Sequence, residues 1–409
     1  MLSDHQQNIL QEIINTLHFS NRILIKGCAG VGKTYLLGNL VEYLRGKTKN
    51  KIYCTAPTNK AVSVLQSKIK PDGKVSLLTL HKALQIRQVI NETTGEVSYK
   101  PSYDREKPPL RGVDYLIVDE ASMVSAELLG YLEELATKSK TTVIFSGDYR
   151  QLNPVNEQDS IVFQLAYPEF ELTEIVRQKE GNPIIELSRN LENIANATSN
   201  ENVSEGEGYY FSNNGKELLD KLVKSNGSNE CKYLAWTNQE VVRINELVRR
   251  AIYGSPAKIE LGETIVFDEP YGDGKYYTNE ELKVEELKVD ELSILTPDEH
   301  REVFTCYFIN SDVRIIHEDS EYRYEVVRKR LRQKAKENKI SWREYYGFTG
   351  LFAKFKYNHA ITVHKSQGST YENVIVNLRD IFKNANTEER TRLLYTAITR
   401  ASKLLIFCQ

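Results

Sequence analysis

Residues 22–34 read RILIKGCAGVGKT, and their interpretation decides the fold. The run RILIK is short, apolar and β-branched, as a buried strand requires. It ends in Gly27, Cys28, Ala29, Gly30, Val31, Gly32, Lys33 and Thr34, which satisfy GxxxxGK[ST] at each constrained position. The segment that follows, YLLGNLVEYLRG (35–46), has helical spacing. Strand, glycine-rich turn and helix in that order make a phosphate-binding loop. Backbone N–H groups wrap the phosphates, and the helix N-terminus adds its positive end. Lys33 would reach the β- and γ-phosphates, Thr34 would ligate Mg²⁺, and Tyr35 is the next nucleotide contact along the chain.

Working outward, similar apolar runs recur and each ends in a polar turn: KIYCTAP (51–57), DYLIVDE (114–120), TTVIFSGD (141–148), KYLAWTN (232–238), NVIVNL (373–378) and KLLIFC (403–408). Short continuous runs separated by helix-like segments predict parallel sheets covered on both faces, an α/β fold. Four of the runs fall before residue 150 and three after residue 230, so two α/β cores are expected. The second run of the phosphate site is YLIVDE (115–120). Asp119 at that strand end can hold Mg²⁺ through its water shell, and Glu120 can orient and deprotonate the attacking water. Together these motifs predict an Mg²⁺-dependent nucleoside triphosphatase.

Two stretches break the pattern. Residues 82–110 contain RQVINETTGEVSYKP, two polar strands about a turn near Gly95, read as an exposed hairpin inserted in the first core. Residues 262–358 begin acidic and rich in Tyr and Gly, continue through strand-like pieces such as EVFTCYFIN, and reach the basic run RYEVVRKRLRQKAKEN. Val327, Leu331 and Ala335 stand four apart in that run and predict one apolar helix stripe, with the Arg and Lys residues on a solvated face. This region reads as a small, mostly β module with a helix.

Composition excludes several classes. Hydrophobic residues are 40% and charged residues 27% of 409, an ordinary globular balance. No apolar run approaches the ~20 residues a bilayer demands, so no membrane partner is expected. The opening MLSDHQQNIL lacks the basic start and apolar run of a secretory leader, which predicts a cytoplasmic protein. Five scattered cysteines without a CxxC pair argue against a disulfide framework or a zinc site. A net charge of −2 does not by itself point to nucleic acid, although a local groove can be basic on an acidic protein.

The motifs as a set resemble those of superfamily 1 helicases. DEAS (119–122) is similar to their DEAx box. GDYRQLNPV (147–155) resembles motif III, which implies that Gln151 senses the γ-phosphate. LTEIVRQ (172–178) resembles motif IV, with Arg177 as a first arginine finger. HAITVHKSQGSTYENVIV (359–376) is similar to motif V and brings in Gly368; LYTAITRA (394–401) is similar to motif VI, with Arg400 as a second finger. LSDHQ (2–6) resembles the Q motif, in which a glutamine amide reads adenine, implying Gln6 and ATP. Within the superfamily the match is to the 5′-to-3′ subgroup, the RecD-like and Pif-type enzymes, and it covers nearly the whole chain.

That resemblance implies two tandem RecA-like domains. Residues 1–178 would be the first core, with 82–110 as its pin. Residues 179–261 with 359–409 would be the second, and 262–358 an SH3-like insertion. It further implies a strand-binding face made of Pro57, Thr58, Asn59 and Lys60, of Thr79 and His81, and on the second core of Thr237, Asn238, Thr362, His364 and Lys365. Short polar groups of this kind grip phosphates without reading sequence. His81 and His364, read alone, would be core histidines. Stacking surfaces are also needed; Pro57, His81, Phe267, Tyr271 and Tyr276 are candidates, with ordinary packing the other reading for the aromatics. The pin tip has no aromatic of its own, leaving Tyr99 or Tyr103 as the nearest. The expectation is a monomeric DNA helicase of a bacterial or phage-infected cell, using ATP and Mg²⁺ on single-stranded and forked DNA, with a single-strand-binding protein as a candidate partner. A translocase that displaces proteins with little unwinding, and a DNA-binding ATPase switch or scaffold, are the rival readings.

Overall fold

The apolar runs become the strands of two sheets. The computed structural model describes residues 2–104, 106–155, 157–174, 183–191, 202–204, 207–272 and 274–409. The first sheet is parallel throughout, in the order Val75–Thr79, Lys51–Ala56, Val113–Val118, Thr142–Gly147, Arg22–Gly27, Glu169–Leu172. Alternation along RILIKG sends Ile23 and Ile25 into one layer with Leu36 and Leu40 of helix Lys33–Lys47. Leu24 enters the opposite layer with Leu128 and Leu132 of helix Ala126–Ser139. Burial on both faces is why the run is continuous rather than alternating.

The second sheet runs Ala360–Thr362, Cys231–Ala235, Tyr371–Asn377, Ala401–Cys408, Glu207–Phe211, Asn202–Ser204, parallel except for the last pair. Leu405 and Phe407 pack on helix Thr387–Ile398, and Ile406 and Cys408 on the side of helix Asn238–Tyr253. The molecule is thus a mixed α/β fold with two parallel-stranded cores.

The hairpin pairs Ile86–Ile90 with Val97–Pro101, and Asn91 closes its turn by accepting from the Thr93 and Thr94 amides. The region between helix Asn238–Tyr253 and strand Ala360–Thr362 folds as two three-stranded antiparallel sheets with two helices, Glu318–Lys336 and Trp342–Thr349. The sequence reading gave this module one helix. The second was signalled by Ser341 and Glu344, which form a reciprocal capping box at its start. Val327, Leu331 and Ala335 face Phe304 and Phe348 in the module's core. Several of the basic side chains are paired with acids, including Arg328 with Glu325, Arg330 with Asp298 and Glu302, and Lys334 with Asp298. Phe267, Tyr271 and Tyr276 stack on one another, with Phe267 fully buried. Packing, not base stacking, is what holds these three rings.

Candidate nucleotide site and strand-binding face

One cavity of ≈ 290 Å³ is lined from both cores. The first contributes Ala29, Gly30, Gly32, Lys33, Thr34 and Tyr35 from the phosphate loop, with Asp119, Glu120 and Gln151. The second contributes Gly368 and Arg400. Residues spread over more than three hundred positions of sequence therefore share one surface.

Each side chain is set by its element. Lys33 Nζ donates to the carbonyls of Gly27 (2.7 Å) and Cys28 (2.9 Å), curled over its own loop. Asp119, at the end of Val113–Val118, accepts from the Ser146 hydroxyl at 2.9 Å, and Thr34 Oγ1 lies 3.5 Å from its other oxygen. Glu120 is held at φ +54°, a left-handed conformation that costs a non-glycine residue roughly 1–3 kcal/mol. Burial raises the pKa of both carboxyls, and at Glu120 the neighbouring Asp119 charge raises it further.

Two buried acceptors, Glu120 Oε2 and Gln151 Oε1, have no hydrogen-bond partner among the described residues. Such atoms cost about 1–3 kcal/mol each unless something donates to them. The attacking water beside a bound triphosphate would supply donors to them, and Thr34 and Asp119 are the hard oxygen ligands Mg²⁺ prefers. The residues fit a magnesium nucleotide.

Arg400 is 5% exposed and donates to the carbonyls of Thr396 and Ser369 and to the Thr399 hydroxyl. Gly368 takes φ +70°, and a Cβ there would lie 2.9 Å from Ala61 Cβ, so only glycine lets the second core's turn approach the first core's helix Asn59–Gln66. Gln6 is wholly buried and outside the cavity lining. Its amide donates to the Val31 carbonyl (3.1 Å), and its carbonyl accepts from the Ser3 N–H. Arg177 lies outside the described residues. The cavity also includes Val64, Lys68, Ser369, Thr370 and Thr399, which the sequence reading missed. Ser369 and Thr370 adjoin Gly368 and could have been inferred; Lys68, just beyond its helix, carries no local signal.

The AAA domain family matches residues 1–205, and the UvrD-like helicase C-terminal domain matches residues 357–408. The chain belongs to the AAA domain family, as a RecD-like, Pif-type superfamily 1 helicase. It is 26% identical over 440 residues to the ATP-dependent DNA helicase dda of Enterobacteria phage T4, covering 98% of this chain and 97% of that one. It is 25% identical over 468 residues to the RecBCD enzyme subunit RecD of Buchnera aphidicola, covering 99% of this chain and 73% of that one. A Pif1 helicase from Bacteroides, solved in complex with ADP-AlF3 and ssDNA, has the same fold at a TM-score of 0.54 and 19% identity, over 99% of this chain and 92% of that one.

In this Pif-type chain the strand-end threonines are helix caps. Thr58, Thr79 and Thr237 accept from the amides of Ala61, Lys82 and Glu240, and Thr362 accepts from Lys365. Their hydroxyl oxygens thus serve the backbone. Pro57, Asn59 and His81 follow adjacent strand ends, since Ala56 pairs with Thr79. Lys60, Asn238, Thr362 and Lys365 line one groove, together with Phe267 and Lys356 of the inserted module. Both candidate lysines are held by acids of that module: Lys60 by Glu281 (2.6 Å), and Lys365, with Lys356, by Asp268 (3.0 and 2.8 Å). His364 sits apart on the other side of motif V, 3.8 Å from Glu389.

The inserted module also leans on the first core elsewhere. Lys82 Nζ stands 5.9 Å from the Tyr277 ring centre. The Trp342 ring covers Gly95 so closely that a Cβ there would fall 2.3 Å from it, and the Tyr346 hydroxyl donates to the Gly95 carbonyl at 2.8 Å. The aromatic that the hairpin tip lacks lies against it from 247 positions away, beyond the reach of local pattern.

Proposed function

We propose that the chain is an ATP-dependent DNA helicase that moves 5′-to-3′ on single-stranded DNA and separates duplex ahead of it. The observation that carries this is the single cavity in which Lys33, Glu120 and Gln151 of one core meet Arg400 of the other. A nucleotide there would touch both cores, so its hydrolysis changes how they sit together. Lys33 exchanges two loop carbonyls for phosphate oxygens, Glu120 takes the proton of the attacking water, and Arg400 neutralises charge on the transferring group. Mg²⁺ on Thr34 and Asp119 would supply charge neutralisation between the phosphates. Gly368 passes the movement on, because it rests against Ala61 and Thr58 at the strand-binding end of helix Asn59–Gln66.

The domains in this reading are 1–178, with 82–110 as a separation pin; 179–261 with 359–409; and 262–358 as an SH3-like, mostly β insertion that steadies the pin through Trp342 and Tyr346. The enzyme acts as a monomer in the cytoplasm, and a single-strand-binding protein is its natural companion. Among the described residues no helix is long and apolar enough to cross a membrane.

The deciding experiment is unwinding of 5′-tailed against 3′-tailed duplexes, with Lys33→Ala as the inactive control. Strand release from the 5′-tailed substrate alone is expected. Release only from the 3′ tail would overturn the polarity, and ATP consumption without release would mark a translocase. Two further outcomes follow. Asp268→Asn frees Lys356 and Lys365 of a competing carboxylate. It should tighten binding of a fluorescent oligonucleotide roughly two- to fivefold at low salt, since an exposed pair is worth about 0–1 kcal/mol. Tyr346→Phe removes the anchor on Gly95. It should slow unwinding about two- to fivefold, the scale of one hydrogen bond, while DNA-stimulated ATP turnover stays near wild type.

A further inference from the structure

Helix Thr387–Ile398 of the second core presents Arg392, Tyr395 and Thr396 on one face, at the i, i+3, i+4 spacing that aligns side chains. All three reach the loop 148–152 of the first core. Arg392 donates to the carbonyls of Tyr149 (2.6 Å) and Gln151 (3.2 Å), and the Leu152 amide donates to the Thr396 hydroxyl (3.2 Å). Tyr395 goes further. Its hydroxyl donates to Asp148 Oδ2 at 2.7 Å and accepts from the N–H of Ala29 at 3.0 Å. Ala29 is the third residue of the phosphate loop and lines the nucleotide cavity. Tyr395 and Asp148 are 2% and 0% exposed. One buried hydroxyl therefore ties a phosphate-facing amide to the start of the loop that carries Gln151, five residues before Arg400.

An N–H makes one good hydrogen bond. A phosphate oxygen that uses the Ala29 amide must take it from Tyr395. We propose that Tyr395 is a positioning residue for ATP turnover: its hydroxyl competes with phosphate for the Ala29 amide, and its bond to Asp148 fixes the register in which Arg400 enters the cavity. Nucleotide arrival and finger placement are thereby coupled through a single side chain. This rests on the nucleotide-site part of the functional reading, not on strand polarity or unwinding.

Tyr395→Phe keeps the ring and deletes both bonds. The competition is then gone, so a fluorescent ADP, and a non-hydrolysable ATP analogue titrated without DNA, should bind about three- to tenfold more tightly, the scale of one hydrogen bond. Register is also lost, so kcat for DNA-stimulated ATP hydrolysis should fall roughly 10- to 100-fold. A lower KM together with a lower kcat is a signature that general loosening of the fold does not give, because loosening raises KM. Asp148→Asn keeps an acceptor for the hydroxyl but removes its charge, and should move both constants in the same directions by less. Unchanged or weaker nucleotide binding, in either variant that melts within a few degrees of wild type, overturns the proposal; should Tyr395→Phe fail to fold, Asp148→Asn decides. Tighter binding in the variants, with a wild type whose hydrolysis ignores DNA, would sustain this inference and sink the helicase reading instead.

Discussion

Arg400→Ala should lower DNA-stimulated ATP turnover by about 10³-fold or more, the range over which an arginine finger acts, with a much smaller change in KM. The guanidinium is oriented entirely by its own core, through the Thr396 and Ser369 carbonyls and the Thr399 hydroxyl. That leaves one N–H on each terminal nitrogen for phosphate oxygens. Its charge acts where negative charge builds on the transferring group, so its removal acts on the transition state more than on binding. Steady-state ATPase at saturating oligonucleotide checks this. A loss of less than tenfold would mean that Arg400 only braces the turn at Ser369.

Glu120→Gln should leave nucleotide affinity within a few-fold of wild type while cutting turnover about 10²- to 10⁴-fold, the worth of a positioned general base. Glutamine is close in shape, so the left-handed residue and its buried surroundings are retained. Equilibrium binding of a fluorescent ATP analogue beside single-turnover hydrolysis separates the two effects. A base must be deprotonated to work. Burial and the Asp119 charge raise the Glu120 pKa in the free protein, so wild-type kcat/KM should fall on acidification at a higher pH than an ordinary glutamate would give. The residual activity of Glu120→Gln should lack that limb. A wild-type kcat/KM that holds steady down to the usual carboxylate range would assign the base elsewhere.

The phosphate loop, the acid pair and the strands that carry them were legible because each is local: a few adjacent residues specify a strand end, a turn and a helix start. Motifs V and VI were legible as motifs, and Gly368 and Arg400 do enter the cavity. The partners of those motifs were not legible. Nothing near Lys60 announces Glu281, and nothing near Lys365 announces Asp268, because tertiary folding decides which acid meets which base. The threonines at the strand ends are legible as polar residues following strands. Their engagement as caps depends on helix starts that only the backbone reveals. Tyr271 and Tyr276 looked available in a Tyr-rich chain, yet burying rings against one another serves a small module better than displaying them. Gln6 illustrates the opposite limit: a motif match gives a residue's place and not the direction of its amide.

The inserted module is covalently continuous with the second core and rests on the first at Lys60–Glu281, Lys82–Tyr277 and Gly95–Trp342. On the proposed reading, a polynucleotide lying between the cores and the module would be ringed by protein, a bead on a string. A linear molecule can be threaded by its terminus. A covalently closed circle would have to slip in sideways, by parting an ion pair, a cation–aromatic contact and a ring packed on Gly95. Escape meets the same barrier in reverse, so persistence on a track can arise from enclosure instead of tight grip.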